Sequence, residues 1–316
     1  MKKNLRFIYD KDSHITHTEY FSFKEEAQAN KLTSILLISL RLVLKSINSI
    51  MKPLFGFELK RSRVTSVENQ NFPSDGVVKK MQDNKVNFIV QSLLSELGIQ
   101  ANREELLKII EDYDSLYRNA PINNHQGGMG YNNGLVCFCF IKTISPELVI
   151  ESGVWRGFTT FLIDKATQEG SKIKCFDINY SKLDYKSNKA EYFESDVSEA
   201  TINLKGTKAL ALFDDHVSHY DRLEYCLDNE VDFIIFDDDV SIENVHSDGW
   251  PPIPTANMVM NYDSIPHEFS WVSGHRVGEA DISELDCKKF QNSYLYVAMP
   301  DLYGITGYQN SSATSF

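Results

Sequence analysis

The sequence predicts an α/β fold with a mostly parallel sheet, helices on both faces and a helical N-terminal extension. Three observations predict it. From Glu147 onward, short apolar runs alternate with helix-like segments, the pattern of βαβ units. Five of those runs, at 148–151, 173–177, 191–194, 209–213 and 233–236, end in an acidic residue or meet one at once. The first run passes into a helix through a glycine-containing turn, Glu151-Ser152-Gly153-Val154-Trp155-Arg156-Gly157-Phe158-Thr159.

With 316 residues, 42% of them hydrophobic and 12% aromatic, the chain can bury a large α/β core beside an N-terminal region. A net charge of -12 disfavours a nucleic-acid partner, because phosphate contacts need a basic face. The five cysteines sit mostly in apolar runs and form no CxxC pair, so they read as buried free thiols in a reducing compartment.

Met1, Lys2 and Lys3 are followed by polar sequence, so the expectation is no secretory signal and a cytoplasmic address. The apolar stretch 32–55 is interrupted by Arg41 and Lys45 and is too short without charge to span a bilayer. It reads as an amphipathic helix, lying either on the inner membrane face as a peripheral contact or against protein, a homo-oligomer partner included. Residues 62–82 read as a linker, which divides the chain into a 1–83 leader and an 84–316 domain with its core at 127–316. Helical spacing over 84–117, broken at Gly98, gives two helices, the second capped by Asn102 with Glu105 three residues on. The Gly- and Asn-rich stretch 123–134 reads as irregular, either a loop over the ligand, with Gly128 and Tyr131 close to it, or a plain connector.

In an open parallel sheet, the carboxyl ends of the strands line the ligand crevice, so acids at those ends share one site. A dinucleotide fingerprint would read GxGxxG, whereas here an acid closes the strand and would repel a pyrophosphate. Asp177, at the end of the second strand, is placed to accept both hydroxyls of a ribose. The segment from Glu151 resembles motif I of class I S-adenosylmethionine (SAM) dependent methyltransferases, in the E-x-G-V-x-x-G-x-[ST] form of small-molecule O-methyltransferases. That resemblance implies a Rossmann-like seven-stranded sheet. It also implies SAM as cofactor, held by Glu151, Gly153, Gly157 and Thr159, with Asp177 on the ribose and Asp196 against the adenine amino group.

Phe213-Asp214-Asp215-His216 and Phe236-Asp237-Asp238-Asp239 crowd carboxylates at two strand ends, which asks for a hard divalent cation such as Mg²⁺. The pairing is similar to that of metal-dependent O-methyltransferases acting on catechols, caffeoyl-coenzyme A and macrolide sugars. On that resemblance Asp214, Asp237 and Asp238 are the metal ligands, with Asp215 and Asp239 as turn residues. A cation that lowers the pKa of an acceptor hydroxyl needs a base beside it, and His216, with Asp214, is the catalytic candidate, ahead of His219. Val217 stands where the catechol-type enzymes carry a lysine, and the Gly-Gly turn expected before the fifth strand is replaced by 229–232. The loop 247–255, with Trp250, is expected to shape acceptor specificity, and 293–308 to supply closing antiparallel strands.

The expected activity is O-methylation of a small molecule or carbohydrate, and the leader at 52–61 is similar to those of methyltransferases acting on surface polysaccharides. Two rival readings remain. One is a metal-dependent GT-A-like glycosyltransferase using Asp237–Asp239 on a nucleotide sugar. The other is a non-catalytic module of the same fold.

Overall fold

Strand period fixes two faces of a sheet, and the strand residues here separate into two apolar sets. Leu148, Ile150, Ala209, Ala211, Phe213, Ile234 and Phe236 belong to one core cluster, Val149, Leu210, Leu212 and Ile235 to another. Both faces are covered, as the apolar composition of these runs requires. The computed structural model describes residues 76–122, 128–202, 204–247, 251–273 and 276–316. The amphipathic stretch 32–55, the leader motif 52–61 and Trp250 lie outside the described residues.

Strands β1 (Leu148–Ser152), β2 (Lys172–Phe176), β3 (Ala190–Phe193), β4 (Ala209–Phe213) and β5 (Phe233–Asp237) fall where the apolar runs place them. They pair in parallel, and the short β8 (Thr314–Ser315) joins antiparallel to β5, in the order β3-β2-β1-β4-β5-β8. The chain winds outward through β2 and β3, then returns to the other side of β1 for β4. That reversal is the topological switch point of a Rossmann-like sheet, and the crevice beyond it is formed by the ends of β1 and β4.

Helices α1 (Gly76–Glu96), α2 (Arg103–Arg118), α3 (Tyr131–Ile144) and α4 (Phe158–Ala166) cover the Val149 face. Helix α5 (His219–Asp228), the one-turn α6 (Ala256–Met260) and Phe290 of α7 (Lys288–Gln291) cover the other. Asn102 caps α2 as its sequence predicts, its side chain accepting from the amides of Glu104 and Glu105. Helix α1 begins at Gly76, so the expected boundary at residue 83 falls inside it. All five cysteines are buried free thiols. Among the described residues, no helix is long and apolar enough to cross a membrane.

The Gly- and Asn-rich stretch departs from expectation, because Asn132, Asn133 and Gly134 form the first turn of α3. Tertiary contacts override their weak propensity. A Cβ on Gly134 would lie 2.4 Å from the Tyr113 hydroxyl and 2.8 Å from Leu162, so only glycine lets α2 and α4 approach. Asn132 donates to the Tyr308 carbonyl at 2.6 Å, and Asn133 donates to Thr314 Oγ1 at 2.7 Å while accepting from the Ser311 amide at 2.9 Å. Tyr131 stacks on Tyr308 at 4.1 Å, and Gly128 packs on Phe158.

The closing strands also differ in detail. The expected seventh strand is a single bridge, Ala298 to Ser315, extended by paired backbone bonds between Val297 and Phe316 at 3.0 Å. Its partner is 314–315 and not 303–308, where α8 (Tyr303–Thr306) intervenes. A separate antiparallel hairpin, β6 (Glu268–Ser273) and β7 (Arg276–Asp281), packs Trp271 with Val240, Val245 and Met258.

Asn133 thus ties α3 to the segment that completes the sheet. Asn133→Ala is expected to lower unfolding free energy by about 2–4 kcal/mol in urea denaturation, since it removes bonds to buried partners. A change within about 0.5 kcal/mol would contradict that role.

Candidate active site

The turn between β1 and α4 is held from four sides. Asp177 Oδ2 accepts from the amides of Val154 at 2.9 Å and Trp155 at 3.0 Å, while Oδ1 accepts from Asn179 at 2.9 Å. The Gly153 amide donates to Phe176 at 2.9 Å, and the Asp214 amide donates to Ser152 at 2.8 Å. The amides of Asp184 and Tyr185 both donate to the Arg156 carbonyl, and the Arg156 side chain pairs with Asp184.

Both glycines of the turn are required by geometry. Gly153 has φ +88°, and a Cβ there would sit 2.2 Å from the Asp214 carbonyl oxygen. Gly157 also has φ +88°, with the Tyr185 carbonyl 2.4 Å from its would-be Cβ. Any side chain would strain the backbone and push the neighbouring loops apart. Thr159 is buried in the first turn of α4.

Glu151 is 0% exposed beneath this turn. Its Oε2 accepts from the Thr160 hydroxyl at 2.7 Å and the Cys175 thiol at 3.3 Å, while Oε1 has no hydrogen-bond partner. Burial pushes the carboxyl up to about 7, only partly opposed by those two bonds. Glu151 is therefore part of the floor of the turn.

Asp196, expected against adenine, has a different employment. Both its oxygens accept from Arg222, at 2.9 and 2.6 Å, and Oδ1 also caps the Ser198 amide. Arg222 is 2% exposed, and its Nε donates to Asp215 Oδ2 at 2.9 Å. These bonds hold the Asp196 carboxyl well below the usual carboxylate range. Asp215 is accordingly no loose turn residue. Sequence reasoning missed Arg222, whose only signal was a lone arginine among the apolar residues of α5.

At the ends of β4 and β5, ligand atoms of Asp214, His216 and Asp238 all lie within 4.8 Å of one another. Metal–ligand bonds of about 2.0–2.6 Å put opposite ligand atoms up to roughly 5 Å apart, so one divalent cation fits this donor set. His216 Nδ1 is 3.4 Å from Asp238 Oδ2. Both residues have positive φ, +57° and +56°, a backbone region that few residues other than glycine adopt. Burial and the neighbouring Asp237 and Asp238 push the Asp214 carboxyl well up.

Asp237 does not belong to this cluster as expected. Its Oδ1 accepts from the hydroxyls of Ser312 and Thr314, the latter at 2.8 Å, so it anchors the C-terminal segment. Asp239 points inward as well, accepting from the Asn257 amide at 2.6 Å and the Tyr296 hydroxyl at 2.8 Å. His219, the second candidate base, is 2% exposed. Its Nδ1 accepts from the Ala256 amide at 3.0 Å, so its 3.6 Å approach to Asp239 is no ion pair.

No family model and no curated protein matches the sequence. Among solved structures, the chain is similar to the O-methyltransferase TomG from Streptomyces achromogenes in complex with SAM, at 11% identity and a TM-score of 0.37, covering 75% of this chain and 97% of that one. It is also similar to an O-methyltransferase from Bacillus cereus in complex with SAH, at 12% identity and a TM-score of 0.31, covering 62% and 96%. A methyltransferase from Geobacter sulfurreducens matches at 14% identity and a TM-score of 0.31, covering 56% and 86%. At these levels, residue roles rest on the geometry of this chain.

Replacing Arg222 tests the organisation of the crevice wall. Arg222→Met leaves Asp196 and Asp215 without their cation and is expected to cost about 3–5 kcal/mol at pH 7. Because the folded-state pKa of Asp196 is depressed, the stability it contributes is present above its unfolded pKa and lost as pH falls through the folded value. The deficit measured by urea denaturation should therefore shrink on acidification below about pH 4.

Proposed function

We propose that the chain is a SAM-dependent O-methyltransferase acting on a hydroxyl of a small molecule or carbohydrate with the help of a divalent cation. The observation that carries this reading is the engagement of Asp177 with the amides of Val154 and Trp155. In a dinucleotide site, amides of this turn face a pyrophosphate. Here a carboxylate of the protein occupies two of them, and the acids Asp177 and Asp214 follow the ends of β2 and β4 beside the switch point. That field suits a cationic nucleoside cofactor such as the SAM sulfonium and disfavours a diphosphate.

Asp177 keeps one lone pair, on Oδ1, for a ribose hydroxyl, since a carboxylate accepts about four hydrogen bonds and three are made to backbone amides. The glycine turn supplies backbone close to the ligand without side chains in the way. Asp214, His216 and Asp238 would hold the cation, which supplies acidification and orientation of the acceptor hydroxyl when bound. SAM, which Asp177 and the glycine turn would hold, would supply the methyl group: the acceptor oxygen would gain the methyl carbon and lose its proton to solvent, with the carbon–sulfur bonding pair retained by a neutral thioether. The glycosyltransferase reading loses support from the inward engagement of Asp237 and Asp239, which removes both outer residues of its Asp-x-Asp motif.

Calorimetric titration with SAM and, separately, with UDP-sugars, each with Mg²⁺ and with EDTA, tests the proposal. SAM is expected to bind, and Asp177→Ala to weaken it by about tenfold or more, equivalent to roughly 1.4 kcal/mol. Metal-dependent binding of UDP-sugars without SAM binding would favour the glycosyltransferase. Silence with both would favour a non-catalytic module.

A further inference from the structure

We infer that His216 is a ligand of the cation rather than the general base, and that the site therefore selects a borderline first-row divalent ion, of the Fe²⁺, Co²⁺ and Zn²⁺ class, over Mg²⁺. The inference rests on the metal-assisted reading above and specifies its metal. An all-oxygen set of Asp214, Asp237 and Asp238 would suit Mg²⁺, which takes oxygen ligands in near-ideal octahedral geometry. The structure assembles a different set. Asp237 Oδ1 is taken by the hydroxyls of Ser312 and Thr314, and the atoms that converge within 4.8 Å of one another are carboxylate oxygens of Asp214 and Asp238 with an imidazole nitrogen of His216. Imidazole is a poor partner for Mg²⁺ and a good one for later divalent ions, whose affinity for nitrogen rises along the first row.

The surroundings favour ligation over proton transfer. His216 Nδ1 already lies 3.4 Å from Asp238 Oδ2, close to the separation of adjacent ligands on one ion. The Asp214 carboxylate receives no hydrogen bond from the described residues, so nothing else there directs its lone pairs. The nearby cationic side chain, Arg222, is consumed by Asp196 and Asp215.

The test uses the full chain stripped of metal, as wild type and as His216→Asp, since Asp tolerates the left-handed backbone at this position. Mn²⁺, Co²⁺ and Mg²⁺ are titrated by competition, and pulsed electron paramagnetic resonance of the Mn²⁺ complex reads directly bonded nitrogen. Wild type should show nitrogen modulation. His216→Asp should still bind Mn²⁺, lose the modulation, and lower the ratio of Co²⁺ to Mg²⁺ affinity by about tenfold or more. His216→Asn, with thermal unfolding as a folding control, should also lose the modulation. Binding of all three ions with no nitrogen modulation in wild type, or with an unchanged affinity ratio in His216→Asp, would overturn the inference while leaving the metal-assisted reading intact. Failure of wild type to bind any of the three ions would overturn both.

Discussion

Negative charge gathered at one edge of the sheet is the constraint on which the rest of this structure depends. Between Glu151 and Asp239, eight carboxyl groups that are at least partly buried lie at or just past strand ends, in a region where burial raises the cost of each charge. The fold disposes of them differently. Glu151 is pushed toward its protonated form, and Asp177 is satisfied by backbone amides. Asp196 and Asp215 share Arg222, while Asp237 and Asp239 take hydroxyls and an amide from the C-terminal half. Asp214 and Asp238 face His216.

These compensations also position the site. The Asp177 bonds shape the glycine turn, and the close approach of Gly153 to Asp214 sets that turn against the end of β4. The proposed cofactor cradle and the proposed metal centre are therefore adjacent parts of one edge. The polar ties of Ser312 and Thr314 to Asp237 and Asn133 extend this coupling through β8 to α3. Deleting a tie in the C-terminal segment would reach the site through β5, without any contact to ligand.

The five parallel strands were legible in the sequence because each is a short apolar run closed by an acid, and burial on both faces leaves little ambiguity of period. The capped α2 was legible for a local reason, the Asn102 side chain. The start of α3 was not, because its Asn and Gly residues are chosen for partners far along the chain. The same holds at the site. Which of three consecutive aspartates faces outward depends on Ser312, Thr314, Asn257 and Tyr296, and which acid stays free for a ligand depends on Arg222. Spacing along one strand carries no record of those distant residues.

The edge formed by the β1–α4 turn and the end of β2 is the proposed SAM site. Amide hydrogen exchange with and without SAM tests it most directly. The account predicts slowed exchange confined chiefly to residues 152–158 and 177–179, at saturating SAM. Unchanged exchange there, or protection appearing instead at 237–240 on addition of a UDP-sugar, would contradict it.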